Sequence, residues 1–162
     1  QHEIDFCSIY CHRCLTRFYC FVKDNYRICG EIYEFMSNRN LNVFFQNNTT
    51  NDIFNIIAYS RIFQGIDYLH SNSLIHRDLR PFINLVDNDN IPYIADYDTV
   101  RLLDPKSADE MTEDIGEYTY TSPEQQTDSS FVSFQADIYS FGQIIYFLYE
   151  KKILIVKIIL IL

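Results

Sequence analysis

Few folds are compatible with the stretch His76-Arg77-Asp78-Leu79-Arg80-Pro81, a charged sextet standing between two long helical patterns. Upstream, Asp52–Ser71 repeats apolar residues at three- and four-residue steps through Ile56, Tyr59, Phe63, Ile66 and Leu69. That is the period of an amphipathic helix of about five turns, which Thr50 or Asn51 can cap. Downstream, residues 134–149 read as a second helix. Between them, Asn84–Val86 and residues 91–95 flank the turn Asp87-Asn88-Asp89-Asn90 and read as a hairpin. The turn alternates carboxylates and amides but lacks the glycine and terminal Glu of a calcium loop, so a solvated turn is expected. Two acidic signals follow in order, Ile94-Ala95-Asp96-Tyr97-Asp98 and Ser122-Pro123-Glu124.

At 162 residues, with 48% hydrophobic and 16% aromatic side chains, the chain can bury a core and is not a disordered sequence. A formal charge of −9 excludes nucleic acid, whose phosphates need a basic face, and disfavours an anionic membrane surface. The cysteine count of 5 is odd, and no basic-then-apolar signal opens the chain, so an intracellular, cytoplasmic protein with free thiols is expected. Cys7, Cys11, Cys14, Cys20 and Cys29 share a segment with His2 and His12. Cys11-His12-Arg13-Cys14 has the spacing of half a zinc site, but a second close pair is lacking. Buried thiols packed among aromatics are therefore expected, with a small metal-binding module as the distant alternative.

Taken together and in order, the three motifs resemble the H-R-D-L-x-x-x-N, D-F-G and A-P-E signatures of protein kinases. Asp137-Ile138-Tyr139-Ser140-Phe141-Gly142 resembles the D-x-Y-S-F-G of that family's central helix, in the wording of the tyrosine-kinase-like branch of serine/threonine kinases. The resemblance covers residues 26–150 and implies an α+β fold of protein-kinase type. In that scheme residues 1–35 are a remnant of the small lobe's last strands, and residues 36–150 are the first half of the mainly helical large lobe. Residues 151–162 form a hydrophobic tail.

The implied activity is transfer of the ATP γ-phosphoryl group to Ser or Thr of a protein substrate, with Mg2+ as cofactor. Asp78 takes the place of the catalytic base, and Arg77 that of the arginine that clamps an activation-loop phosphate. Arg80 stands where such kinases carry a phosphate-facing Lys. Glu34 and Met36 fall in the hinge whose backbone binds adenine, after a strand expected over residues 27–35. Asp96 maps onto the main metal and nucleotide ligand, and Asn84 is the candidate second metal ligand. Asp137 is implied to tie the central helix to the backbone of the catalytic loop, and residues 99–121 resemble an activation segment.

The departures from the pattern are specific. The metal-binding Asn belongs five residues after Asp78, where Ile83 stands, and Asn84 is one place late. A slip of one on an extended segment turns a side chain to the opposite face. Asp98 replaces the D-F-G glycine, and Glu117 the Thr that follows Gly116. The four glycines are scattered, and neither G-x-G-x-x-G nor V-A-I-K is present. Impaired catalysis is the expectation, with a non-catalytic pseudokinase scaffold that binds a partner protein as the alternative. The aliphatic run 153–162 is too short for a membrane span, which needs about 20 apolar residues, and is expected to drive self-association. Phosphate on Ser107 or Thr112 is expected to find Arg77 and Arg101.

Overall fold

The structure is a computed structural model that describes residues 9–25, 27–48, 50–103, 118–127 and 133–150. The aliphatic tail, Cys7, Ser107, Thr112, Gly116 and Glu117 lie outside the described residues. A hairpin comes first, β1 (Phe18–Asp24) against β2 (Arg27–Tyr33), antiparallel and bulged twice. Asn25 turns it with φ of 43°, a left-handed conformation that Asn tolerates well. The expected strand at Arg27 is thus half of a hairpin.

Two short helices and one long one follow: α1 (Leu41–Asn47), α2 (Asp52–Ser71) and, later, the five-residue α3 (Pro123–Thr127). Amides cap the first two. The Asn40 side chain accepts from Val43 N–H, and that of Asn51 from Phe54 N–H, both at 2.9 Å. The last helix, α4, is Phe134–Glu150. Between α2 and α3 run four short strands: β3 (Leu74–Ile75) pairs with β6 (Arg101–Leu102), and β4 (Asn84–Val86) with β5 (Pro92–Ile94).

The β4–β5 pair is where the chain's distant parts meet. On one side Asn38 N–H donates to Val86 O and Val86 N–H to Arg39 O, so the segment after β2 is stitched to β4. On the other side Thr16 N–H donates to Ile94 O and Ile94 N–H to Cys14 O, in a parallel bridge. The turn between the strands is held from within. The Asp87 carboxylate accepts from the N–H groups of Asp89 and Ile91 and from the Tyr93 hydroxyl, so it is engaged by its own loop.

The core lies between α2, α4 and these strands, with Leu41, Ile62, Leu69, Ile94, Ile144 and Leu148 fully buried. Here the expected stripe of α2 needs correction. Ile66 and Leu69 are buried, but Ile56 is 63% and Phe63 49% exposed. The buried stripe is Ala58, Ile62, Gly65, Ile66 and Leu69. Apolar residues stand on more than one face of the helix, so two stripes at helical spacing compete, and packing selects the one with a small residue at its centre. At Gly65 an added Cβ would meet Ile94 Cδ1 at 2.7 Å and Cys14 Cβ at 3.5 Å. Only a residue without a side chain lets α2 approach β5 this closely.

The cysteines also depart from expectation. Cys14 is buried, but Cys11, Cys20 and Cys29 are exposed. Cys20 and Cys29 lie on a two-stranded hairpin with exposed residues along both faces, which leaves their thiols near solvent. Among the described residues no helix is long and apolar enough to cross a membrane.

Candidate active site

The loop 76–83 is positioned by Asp137, a fully buried carboxylate in the first turn of α4. Its Oδ1 accepts from Arg77 N–H and its Oδ2 from His76 N–H, each at 2.9 Å. His70 Nε2 lies 2.9 Å from the same Oδ2, at the end of α2. One carboxylate thereby ties together the end of one helix, the start of another and the loop between them. A buried charge persists only with such a set of donors. The tie to the loop backbone is the one the sequence implies for Asp137. His70 is the partner that sequence reasoning missed, because a lone His at a helix end carries no signal until a buried Asp is placed opposite it.

The tie also holds an unfavourable conformation. Arg77 has φ of 74° and Asp96 φ of 63°, left-handed values that cost a non-glycine residue energy. Such outliers concentrate at functional sites. Asp98, where the family carries glycine, is not among the positive-φ residues, so its side chain causes no backbone strain. His76 is fully buried, with Nε2 3.2 Å from Ala95 O and its ring 6.3 Å from that of Tyr97. Thr99 Oγ1 donates to His76 O at 2.7 Å, so the 96–100 turn is fastened to the loop it faces.

Asp78 and Arg80 form an ion pair, with Nε 3.0 Å from Oδ1 and 3.1 Å from Oδ2. Burial raises the Asp78 pKa; Arg80 and His76 oppose the rise, and the nearby Asp96 carboxylate adds to it. Asp78 and Asp96 are thus brought together electrostatically. Arg77 is lowered by burial and by Arg101, and raised by Asp137. The two guanidiniums of Arg77 and Arg101 therefore share one neighbourhood. Arg101 also donates to the carbonyls of Asp98 and Val100 at 2.9 and 2.8 Å.

Asn84 opens β4. Ile83 N–H donates to Arg80 O, closing a turn, and Ile83 is buried in the core. Asn84 is fully buried, and its Nδ2 donates to Arg80 O at 2.8 Å. Its Oδ1 is buried without a hydrogen-bond partner among the described residues. In the segment expected to be the hinge, Glu34 N–H donates to Arg17 O and Met36 O accepts from Arg39 N–H. Among the described residues no hydrogen bond uses the Glu34 carbonyl or the Met36 N–H. Met36 is buried and Glu34 exposed.

The geometry defines an α+β scaffold in which Asp78 and Arg80, on the loop tied by Asp137, lie near the Asp96 carboxylate. The model of the protein kinase domain matches residues 1–158, and the chain belongs to that family. A G-type lectin S-receptor-like serine/threonine-protein kinase of Arabidopsis thaliana is 32% identical over 154 residues, which is 90% of this chain and 18% of that protein. Cysteine-rich receptor-like protein kinase 19 of the same plant is 34% identical over 70% of this chain and 19% of its own length. The chain thus spans less than a fifth of these relatives. A solved chain of the yeast RNA polymerase II CTD kinase complex superposes with a TM-score of 0.84 at 19% identity, covering 94% of this chain and 50% of that one. That likeness is one of fold.

Proposed function

We propose that the chain carries a protein kinase site whose phosphoryl transfer to a protein Ser or Thr is impaired. The observation that carries the reading is the pair Ile83 and Asn84. An apolar side chain buried in the core stands where a metal-binding amide is needed, and the amide next to it is bonded to Arg80 O. The remaining residues fit part of the nucleotide. The Glu34 carbonyl and Met36 N–H suit an adenine edge, and the exposed Asp96 carboxylate suits a metal ion. When bound, magnesium-ATP supplies the phosphoryl group. Asp78 takes the hydroxyl proton of the substrate, and Arg80 keeps the carboxylate in place while offsetting phosphate charge. Arg77 and Arg101 together suit a phosphate on the activation segment.

Magnitudes favour impairment. Each charge-assisted contact that is missing costs roughly 1.5–3 kcal/mol, and about 1.4 kcal/mol is tenfold in affinity. The 162 residues contain neither G-x-G-x-x-G nor V-A-I-K, and Ile83 removes a metal ligand. Three such losses take a micromolar site to about millimolar even when only partly additive. Calorimetric titration of this chain with magnesium-ATP is therefore expected to show no saturation below about millimolar, and the Asp96→Asn variant to behave alike. Micromolar binding that Asp96→Asn abolishes would restore an active kinase. The second reading, a non-catalytic partner-binding scaffold, is favoured by the Asp78–Arg80 ion pair, which engages both carboxylate oxygens. Incorporation of labelled phosphate into a generic protein substrate eliminates it.

A further inference from the structure

The acidic turn after β5 sets one exposed residue among buried ones: Asp96 is exposed, and Ile94, Ala95 and Tyr97 are buried. The φ of 63° at Asp96 is a left-handed value that costs a non-glycine residue energy, so it persists only where the surroundings hold it. What spans Asp96 is the Tyr97 side chain. Its hydroxyl donates to Ile94 O at 2.7 Å, three residues back, and closes a ring that contains the backbone of Ala95 and Asp96. The same oxygen lies 3.2 Å from Thr16 O, so the one hydroxyl proton is shared between two carbonyls. Ile94 O is crowded in turn: Thr16 N–H reaches it at 2.8 Å and Thr16 Oγ1 at 2.9 Å. On the other side of the turn, Val100 N–H donates to Tyr97 O at 3.1 Å.

We propose that Tyr97 is a positioning residue for Asp96: its hydroxyl, closed on the Ile94 carbonyl, holds Asp96 in the left-handed conformation that keeps its carboxylate near Asp78. The family's D-F-G signature carries Phe at this place, so the hydroxyl is a feature of this chain. The ring alone does not supply the restraint. It packs against His76, with centroids 6.3 Å apart, and that contact leaves the dihedrals of Asp96 free to change. The bond to Ile94 O does not, because both of its ends lie on the same short stretch of chain and Asp96 is inside it. Thr16 has the opposite standing. A carbonyl oxygen offers two lone pairs, and Ile94 O has three donors around it, so losing the Thr16 hydroxyl leaves one donor for each. What the restraint does for metal binding rests on the reading of Asp96 as a metal ligand; the restraint itself does not.

NMR of the whole chain, free of metal and nucleotide, tests this. A left-handed residue brings its amide proton close to its own Hα and gives a strong intraresidue NOE. The parent chain is expected to show it at Asp96 and at Arg77, whose φ of 74° is held separately by Asp137. In Tyr97→Phe the NOE is expected to weaken at Asp96 and to persist at Arg77. Exchange of the Val100 amide is expected to quicken about three- to tenfold, the range for one lost hydrogen bond. Thr16→Val is expected to leave Asp96 as it is. An undiminished NOE at Asp96 in Tyr97→Phe overturns the proposal, and so does an equal loss in Thr16→Val or at Arg77, which would mean general loosening. The parent chain alone gives a second reading should Tyr97→Phe fail to fold. Its Tyr97 hydroxyl proton is expected to exchange at least about tenfold more slowly than that of the exposed Tyr19, and equal rates overturn the proposal. With no metal or nucleotide present, failure of the phosphoryl-transfer reading changes none of these outcomes.

Discussion

Burial raises the pKa of Asp78 more than Arg80 and His76 lower it, and Asp96 adds to the rise. A carboxyl whose folded pKa exceeds its unfolded value of about 3.9 binds its proton more tightly in the native state. Between those two values stability falls as pH rises, and at neutral pH the ionised group is a net cost to the fold. Asp78→Asn is neutral at every pH. It is therefore expected to melt above the parent chain near neutral pH, with the gain shrinking as pH falls through the unfolded carboxylate range. Calorimetric melting at several pH values checks this, and a lower midpoint for the variant near neutrality contradicts it. The buried Oδ1 of Asn84 lacks a partner among the described residues, a cost that an apolar residue there would avoid.

Two helix glycines separate packing from propensity at the scale of the element. Gly65 in α2 faces Ile94 and Cys14, with Ile94 itself fully buried and unable to yield cheaply. Gly142 in α4 faces no described atom. The same substitution is therefore expected to act in opposite directions. Gly142→Ala gains helix propensity and stabilises by about 0.5–1 kcal/mol. Gly65→Ala gains as much but overpacks the α2–β5 contact at about 1–3 kcal/mol, so it comes out destabilising. Urea unfolding of the two variants reads the difference, and equal signs would refute the assignment of the buried stripe. Sequence periodicity places the helix Asp52–Ser71 correctly but misassigns its buried face, because Ile56 and Phe63 share helical spacing with Ile66. Period alone cannot rank two apolar stripes, whereas the small residue at the contact does.

Over the whole molecule, Cys14 links the amino-terminal segment to the large core. Its carbonyl accepts from Ile94 N–H, and its Cβ lies 3.5 Å from where a Cβ on Gly65 would stand. Burial raises its thiol pKa, against the lowering influence of Arg61 and Arg13. Cys11, Cys20 and Cys29 are exposed. Brief alkylation of the native chain is expected to modify these three, while Cys14 reacts only on opening of the fold. Peptide mass mapping over time checks it. Labelling of Cys14 as fast as Cys20 would mean that the 14–16 segment is not held against β5.

The family and the order of its motifs were legible in the residues themselves, because the resemblance is carried by short stretches around Asp78, Asp96 and Asp137 in a fixed order. The helix caps at Asn40 and Asn51 were within reach of local rules for the same reason, a short amide beside orphan N–H groups. What the chain decides only on folding is which donors a buried charge collects and which face of an element turns inward. His70 joins Asp137 across 67 residues of sequence, and Ile83 enters the core while Asn84 bonds to Arg80 O. The exposed thiols of β1 and β2 follow from a two-stranded hairpin with exposed residues along both faces. Local chemistry acts over a few residues and is written in order along the chain. Burial is a property of the assembled surfaces, so the partner of each buried group exists only once those surfaces have met.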